Sequence, residues 1–193
     1  MIVGRVTAPL KRYAPNAGSR TRIEGGGVRI ALAAAIPILA AILQASVVPT
    51  LPVAEARPLL PVLVAASWAV ATGVGEASWW AFLGGLATDL LSGGPLGAFA
   101  VAALPAVAAV GLGERPLQRP IPVLPGAAMV GLAALIASLL YVAVLALIGR
   151  PLPDLVPLVA SSVGAGITTG ILALAVYPAA RRLRRSTEQE SPF

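Results

Sequence analysis

Few side chains in this chain could move a proton, attack a carbonyl or hold a metal. Histidine and cysteine are absent, and aspartate occurs only as Asp89 and Asp154. The sole lysine, Lys11, lies near the N-terminus. A serine nucleophile needs a base within reach, and neither a histidine nor a lysine in the apolar body of the chain supplies one. No phosphate-cradling glycine loop, metal-ligand cluster or dinucleotide fingerprint occurs. The sequence therefore reads as a protein that is not an enzyme and takes no cofactor, and without cysteine it forms no disulfide.

Asp89 is the sharpest chemical group. It lies in Thr88-Asp89-Leu90-Leu91-Ser92-Gly93-Gly94-Pro95-Leu96-Gly97, late in an apolar run that reads as a helix. A carboxylate near a helix C-terminus is opposed by the helix dipole and needs compensation. Pro95 suits the first turn of a following helix, whose free amides would face Asp89 across a tight hairpin. Arg57 and Arg150 are the candidate ion partners. An acid inside a membrane segment marks a functional site by default, but hairpin locking is the favoured role here. Glu76 is expected in a loop between Gly73 and Ala77, solvated and close to a helix start at Ser78. Trp68, Trp79 and Trp80 include a pair at the same boundary, where interfacial tryptophans anchor.

The elements that must position these groups are apolar helices. The chain is 58% hydrophobic and only 11% charged, with a mean hydropathy of +0.88. Soluble domains carry about 25% charged residues. Of 14 basic residues, Arg5, Lys11, Arg12, Arg20, Arg22 and Arg29 open the chain, and Arg181, Arg182, Arg184 and Arg185 close it. Between them stand only Arg57, Arg115, Arg119 and Arg150. Clearing cations from the interior is what insertion into hydrocarbon demands, at about 2.5–3.5 kcal/mol per buried charge. The net charge of +6 comes without aromatics interleaved for base stacking, so nucleic acid is not the partner. The terminal cations read instead as topology determinants and as contacts to anionic lipid, about 1 kcal/mol for each basic residue near the surface.

Apolar runs fall at Val28–Val48, Leu59–Val74, Ser78–Leu91, Pro95–Leu112, Val123–Ile148 and Leu155–Ala180. A crossing needs about 20 residues, so the second and third runs are short. Charge decides the count. With six crossings and an internal N-terminus, only Arg57 and Arg150 lie outside, whereas five crossings would divide the cations evenly against the positive-inside rule. The expected organisation is a disordered basic tail over 1–27, a retained signal anchor opening a six-helix membrane domain over 28–180, and a C-terminal tail over 181–193, both ends cytoplasmic.

Small residues recur every four positions on two of these helices. Ala77, Ala81, Gly85 and Asp89 share one face of the third, and Ser162, Gly166 and Gly170 one face of the sixth. In lipid, helices associate through close backbone contact, so these stripes are packing seams, within the bundle before they face a partner. Pro37, Pro105 and Pro178 each remove a backbone donor from an apolar run. Gln44, Ser138 and Tyr141 are polar groups suited to bonding between helices.

The run from Trp79 to Gly97 resembles the signature of the rod shape-determining protein MreD family, a G-x-x-x-D-L-L-S-G-x-P-L-G pattern. Its residues here include Gly84, Gly85, Asp89, Leu90, Gly93, Gly94, Pro95 and Gly97, with Trp68 and Glu76 preceding at familiar distances. Members commonly carry Pro-Asp where this chain has Pro58-Leu59, so no role for that acid transfers. The resemblance implies a bacterial inner-membrane scaffold of the elongation machinery, which maintains rod shape and builds lateral peptidoglycan. The implied partner is MreC and, through it, the penicillin-binding transpeptidase and RodA, with MreB nearby; a homo-oligomer is a further expectation. It also implies an all-α fold similar to the substrate-binding component of energy-coupling-factor transporters. That similarity supplies the rival reading, a binding component of a vitamin-type transporter, which needs polar groups converging on a pocket.

Overall fold

A helix that is apolar all the way round seeks the interior of a bundle, whereas one with a single packing stripe stays at the periphery. In the computed structural model, which describes residues 19–50, 56–112, 121–152 and 154–189 with side chains from 33 to 184, that rule does not separate the helices, since peripheral ones are as apolar as the central one. They are α1 Ser19–Ser46, α2 Leu60–Thr72, α3 Val74–Ser92, α4 Ala98–Gly111, α5 Val123–Leu147 and α6 Leu155–Gln189, with a 3-10 turn at Val48–Thr50. No strand occurs among the described residues. Residues 33–193 form one unit; residues 1–32 form another, of which 19–32 are the start of α1.

Within residues 33–193, α2 is the central element. It touches α3, α4, α5 and α6, and it buries most of its 13 residues. α5, with 25 residues, buries only a stripe from Gly126 to Ala137. The buried core is dominated by small side chains, among them Ala65, Ala69, Ala81, Ala106, Ala134 and Ala137. Large side chains are turned outward: Leu39 on α1, Leu132 on α5, and Val156, Ile167 and Ile171 on α6 are all exposed. This inverts the arrangement of a protein folded in water, where such groups leave the surface. It suits hydrocarbon, which solvates leucine while small residues let backbones approach. Three segments, Ala33–Thr50, Val123–Leu147 and Leu155–Arg184, are long and apolar enough to cross a membrane, the architecture of a membrane protein. α2 and α4 are shorter, about 20 Å each at 1.5 Å per residue.

The start of α2 shows how polar backbone is satisfied inside this bundle. Leu60 N–H donates to Gln44 Oε1 at 2.8 Å and Leu59 N–H donates to Thr169 Oγ1 at 3.0 Å. Pro61, in the first turn, has no N–H to satisfy. Two helices, α1 and α6, therefore cap a third, and Gln44 acts as the interhelical bond its position suggests.

Several boundaries differ from those expected. α1 begins at Ser19, ahead of Val28, so residues 19–27 of the expected tail are helical; residues 1–18 lie outside the described ones. α2 and α3 are separated by Gly73 alone, whose φ of 107° lets the chain reverse in one residue. Glu76 is thus in the first turn of α3 and not in a loop. α4 starts at Ala98 and not at Pro95, because Gly97, at φ 85°, holds a left-handed conformation that ends the turn there. α6 continues to Gln189, so the basic residues 181–185, expected in a tail, extend the helix. The connection holding Arg115 and Arg119 lies outside the described residues.

Candidate functional site

The α3–α4 hairpin is built on two adjacent glycines that serve different faces of α3. A Cβ on Gly84 would stand 3.1 Å from Pro61 Cβ on α2 and 3.3 Å from Pro37 Cβ on α1. A Cβ on Gly85 would stand 2.6 Å from Ala100 Cα and 2.9 Å from its nitrogen. The absence of a side chain at Gly85 thus lets the α3 and α4 backbones touch. Ala77, Ala81, Gly85 and Asp89 are all buried along this α3 face.

That approach decides what Asp89 reaches. One turn beyond Gly85, its side chain is 2% exposed and meets the first amides of α4. Phe99 N–H donates to Oδ1 and Oδ2, both at 3.1 Å, and Ala100 N–H donates to Oδ2 at 3.3 Å. The free N–H groups and positive dipole end of α4 meet the carboxylate, while the dipole of its own helix opposes it. The expected hairpin locking is what the geometry supplies, with amides of α4 as the partners in place of Arg57 or Arg150. Gly93 closes α3 in the left-handed conformation at φ 66°. Leu90 is exposed, as are Leu91 and Leu96. Tyr141 of α5 packs edge-on against Phe99, with ring centroids 5.6 Å apart.

At the opposite end of α3, Trp68 and Trp80 stack with centroids 4.9 Å apart and planes 13° from parallel. Trp68 Nε1–H donates to Glu76 Oε2 at 3.0 Å. Glu76 remains exposed, at a helix N-terminus where its charge is favoured. Only Trp79 of the adjacent pair has the exposure of an interfacial anchor; Trp80 is buried, because α3 turns it onto α2.

The α6 stripe meets α5. A Cβ on Gly131 would lie 2.8 Å from Gly166 O and 3.2 Å from Gly170 Cα, and Ser138 Oγ–H donates to Ser162 Oγ at 3.0 Å. Both seams thus pack inside the bundle. Gly131 follows Ala127 by four residues, but α5 is so rich in small residues at that spacing, Ala133 with Ala137 and Ala134 with Ser138 among them, that spacing alone does not single it out. Tyr177 likewise gave no sequence signal: it fills the space left by Gly126 and its hydroxyl donates to Ile121 O at 3.1 Å.

The arginines closing α6 do more than face lipid. Arg181 Nη1–H donates to Ile121 O at 3.1 Å, with its guanidinium over the Tyr177 ring. Arg184 Nη1–H donates to Ala71 O in the last turn of α2, where a cation complements the dipole. Arg182 is exposed, and the side chain of Arg185 lies outside the described residues. Replacing Arg184 with alanine is expected to lower stability by about 1–2 kcal/mol through this lost carbonyl bond. Thermal unfolding in detergent measures it, and an unchanged midpoint would return the residue to a purely lipid-facing role.

Taken together, both oxygens of Asp89 are engaged by backbone amides, which makes the residue an anchor of the hairpin. Compared with protein-family models, characterised proteins and solved structures, the chain gives no match.

Proposed function

We propose that the protein is a non-enzymatic scaffold in the bacterial inner membrane that binds MreC within the cell-elongation machinery, maintains rod shape and supports lateral peptidoglycan synthesis. The observation that carries this reading is the hairpin itself. The residues of the MreD-like run are spent on building one rigid turn: Gly84 and Gly85 on close packing, Asp89 on capping, Gly93 and Gly97 on left-handed turns. What the turn offers outward is shape and apolar surface, through Leu90, Leu91 and Leu96. That is the equipment of a surface that holds another chain.

On this reading the chain crosses the membrane six times with both ends cytoplasmic. Support comes from the charge distribution and from the bonds of Arg181 and Arg184 to Ile121 and Ala71, which draw the end of α6 to the C-terminal end of α2 and to the start of α5. The transpeptidase, RodA and MreB would associate indirectly, through MreC. The test is co-purification of the full chain with MreC in mild detergent. Co-elution in a fixed ratio is the expected result. Failure to co-elute would remove MreC as the partner, and a water-soluble small molecule, as distinct from a membrane lipid, retained stoichiometrically by the purified chain would replace the scaffold reading with the transport one.

A further inference from the structure

The α3–α4 turn and the α5–α6 connection leave between them a pocket of about 290 Å3, lined by Ser92, Gly93, Gly94, Leu145 and Arg150 among others. This is near the lower bound of ~300 Å3 for small-ligand pockets, room for a headgroup but not for a whole amphiphile. Backbone geometry fixes its one cation. Gly149, left-handed at φ 74°, ends α5; its N–H donates to Ala146 O and Arg150 N–H donates to Leu145 O, each at 3.0 Å. This paired closure with a glycine just past the helix holds Arg150 at the pocket.

Arg150 is exposed and enters no ion pair among the described residues. Asp89, the buried acid at this end, already accepts from Phe99 and Ala100 N–H. Tyr141 adds a second donor: its hydroxyl lies 3.4 Å from where a Gly94 Cβ would stand. At the adjoining ends of α5 and α6, Leu147, Ile148, Leu152 and Leu155 are exposed and form an apolar surround. A guanidinium presents forked donors matched to phosphate oxygens, and an apolar surround at the end of two membrane-long helices matches acyl chain.

We propose that this pocket binds the phosphate headgroup of an anionic membrane lipid, with Arg150 as its principal ligand, the Tyr141 hydroxyl as a second donor and the acyl chains along Leu147 and Leu155. The assignment needs only that α5 and α6 lie in a membrane, and stands or falls independently of the scaffold reading.

The experiment titrates the detergent-solubilised full chain with phosphatidylglycerol and, separately, phosphatidylcholine, and reads bound lipid by native mass spectrometry. The wild type is expected to retain phosphatidylglycerol preferentially, with Arg150→Gln weakening retention about tenfold, a change of one bound charge contact. Gly94→Val, whose side chain fills the pocket, is expected to weaken it similarly, while Arg57→Gln, an exposed cation outside the pocket lining, leaves it unchanged. Arg150→Gln disturbs no described side-chain bond, so its thermal midpoint should match the wild type even if Gly94→Val folds poorly. Equal retention by the wild type and Arg150→Gln overturns the proposal. Displacement of the lipid by inorganic phosphate at equal concentration also overturns it, in favour of a soluble anion.

Discussion

Replacing Asp89 with leucine is expected to destabilise the folded protein by about 2–6 kcal/mol, because two buried amides lose their acceptor at roughly 1–3 kcal/mol each. The two amides are those of Phe99 and Ala100, and α4 offers them no other partner so early in the helix. In an apolar surround, water does not take the acceptor's place. Asparagine is the informative comparison. Asp89→Asn keeps one carbonyl oxygen for Phe99 and loses the charge that the α4 dipole favours, so its effect should be less than half that of leucine. Unfolding in mixed micelles with a denaturing detergent, followed by tryptophan emission, gives both values. An Asp89→Leu protein as stable as the wild type would show that the hairpin does not depend on this cap.

Gly85→Val is expected to destabilise by about 3 kcal/mol or more, at the upper end for overpacking, because the new atoms meet backbone. A Cβ there would stand 2.6 Å from Ala100 Cα and 2.9 Å from Ala100 N, and neither can rotate away. The helices must separate, and the same movement lengthens the bonds from Asp89 to Phe99 and Ala100. The effect should therefore be non-additive with Asp89→Leu, the double variant losing less than the sum of the two. Gly75→Ala is the control on the same helix, since nothing lies within 4 Å of its Cβ position. There the change should be neutral or stabilising by about 0.5–1 kcal/mol, as alanine is the better helix former. A Gly85→Val protein with an unchanged midpoint would mean that α3 and α4 do not touch at this residue.

These two residues also show what patterning can and cannot deliver. Spacing by four put Gly85 and Asp89 on one face, and the dipole argument required compensation for the carboxylate, both from local chemistry alone. It could not choose between an amide and an arginine as the partner, since that depends on where a second helix starts in space. Pro95 looked like the start of α4; Gly97 defers it to Ala98, which brings Phe99 and Ala100 under the carboxylate. Likewise Trp79 and Trp80 were equivalent as boundary aromatics until α3 turned one onto α2 and left its neighbour exposed. The capping of α2 by Gln44 and Thr169 joins residues far apart in the chain, and no periodicity encodes such a pairing.

By itself, the sequence determined the helical class, the apolar setting, the clearing of cations from the interior and the two small-residue seams, because each follows from composition or from a period of 3.6 residues. Only the tertiary structure decided which helix is central, which arginines bond to carbonyls, and which atoms answer Asp89. Those outcomes depend on the crossing of separate helices, set by a few ångströms at glycines such as Gly85 and Gly131, where the lack of a Cβ leaves backbone against backbone.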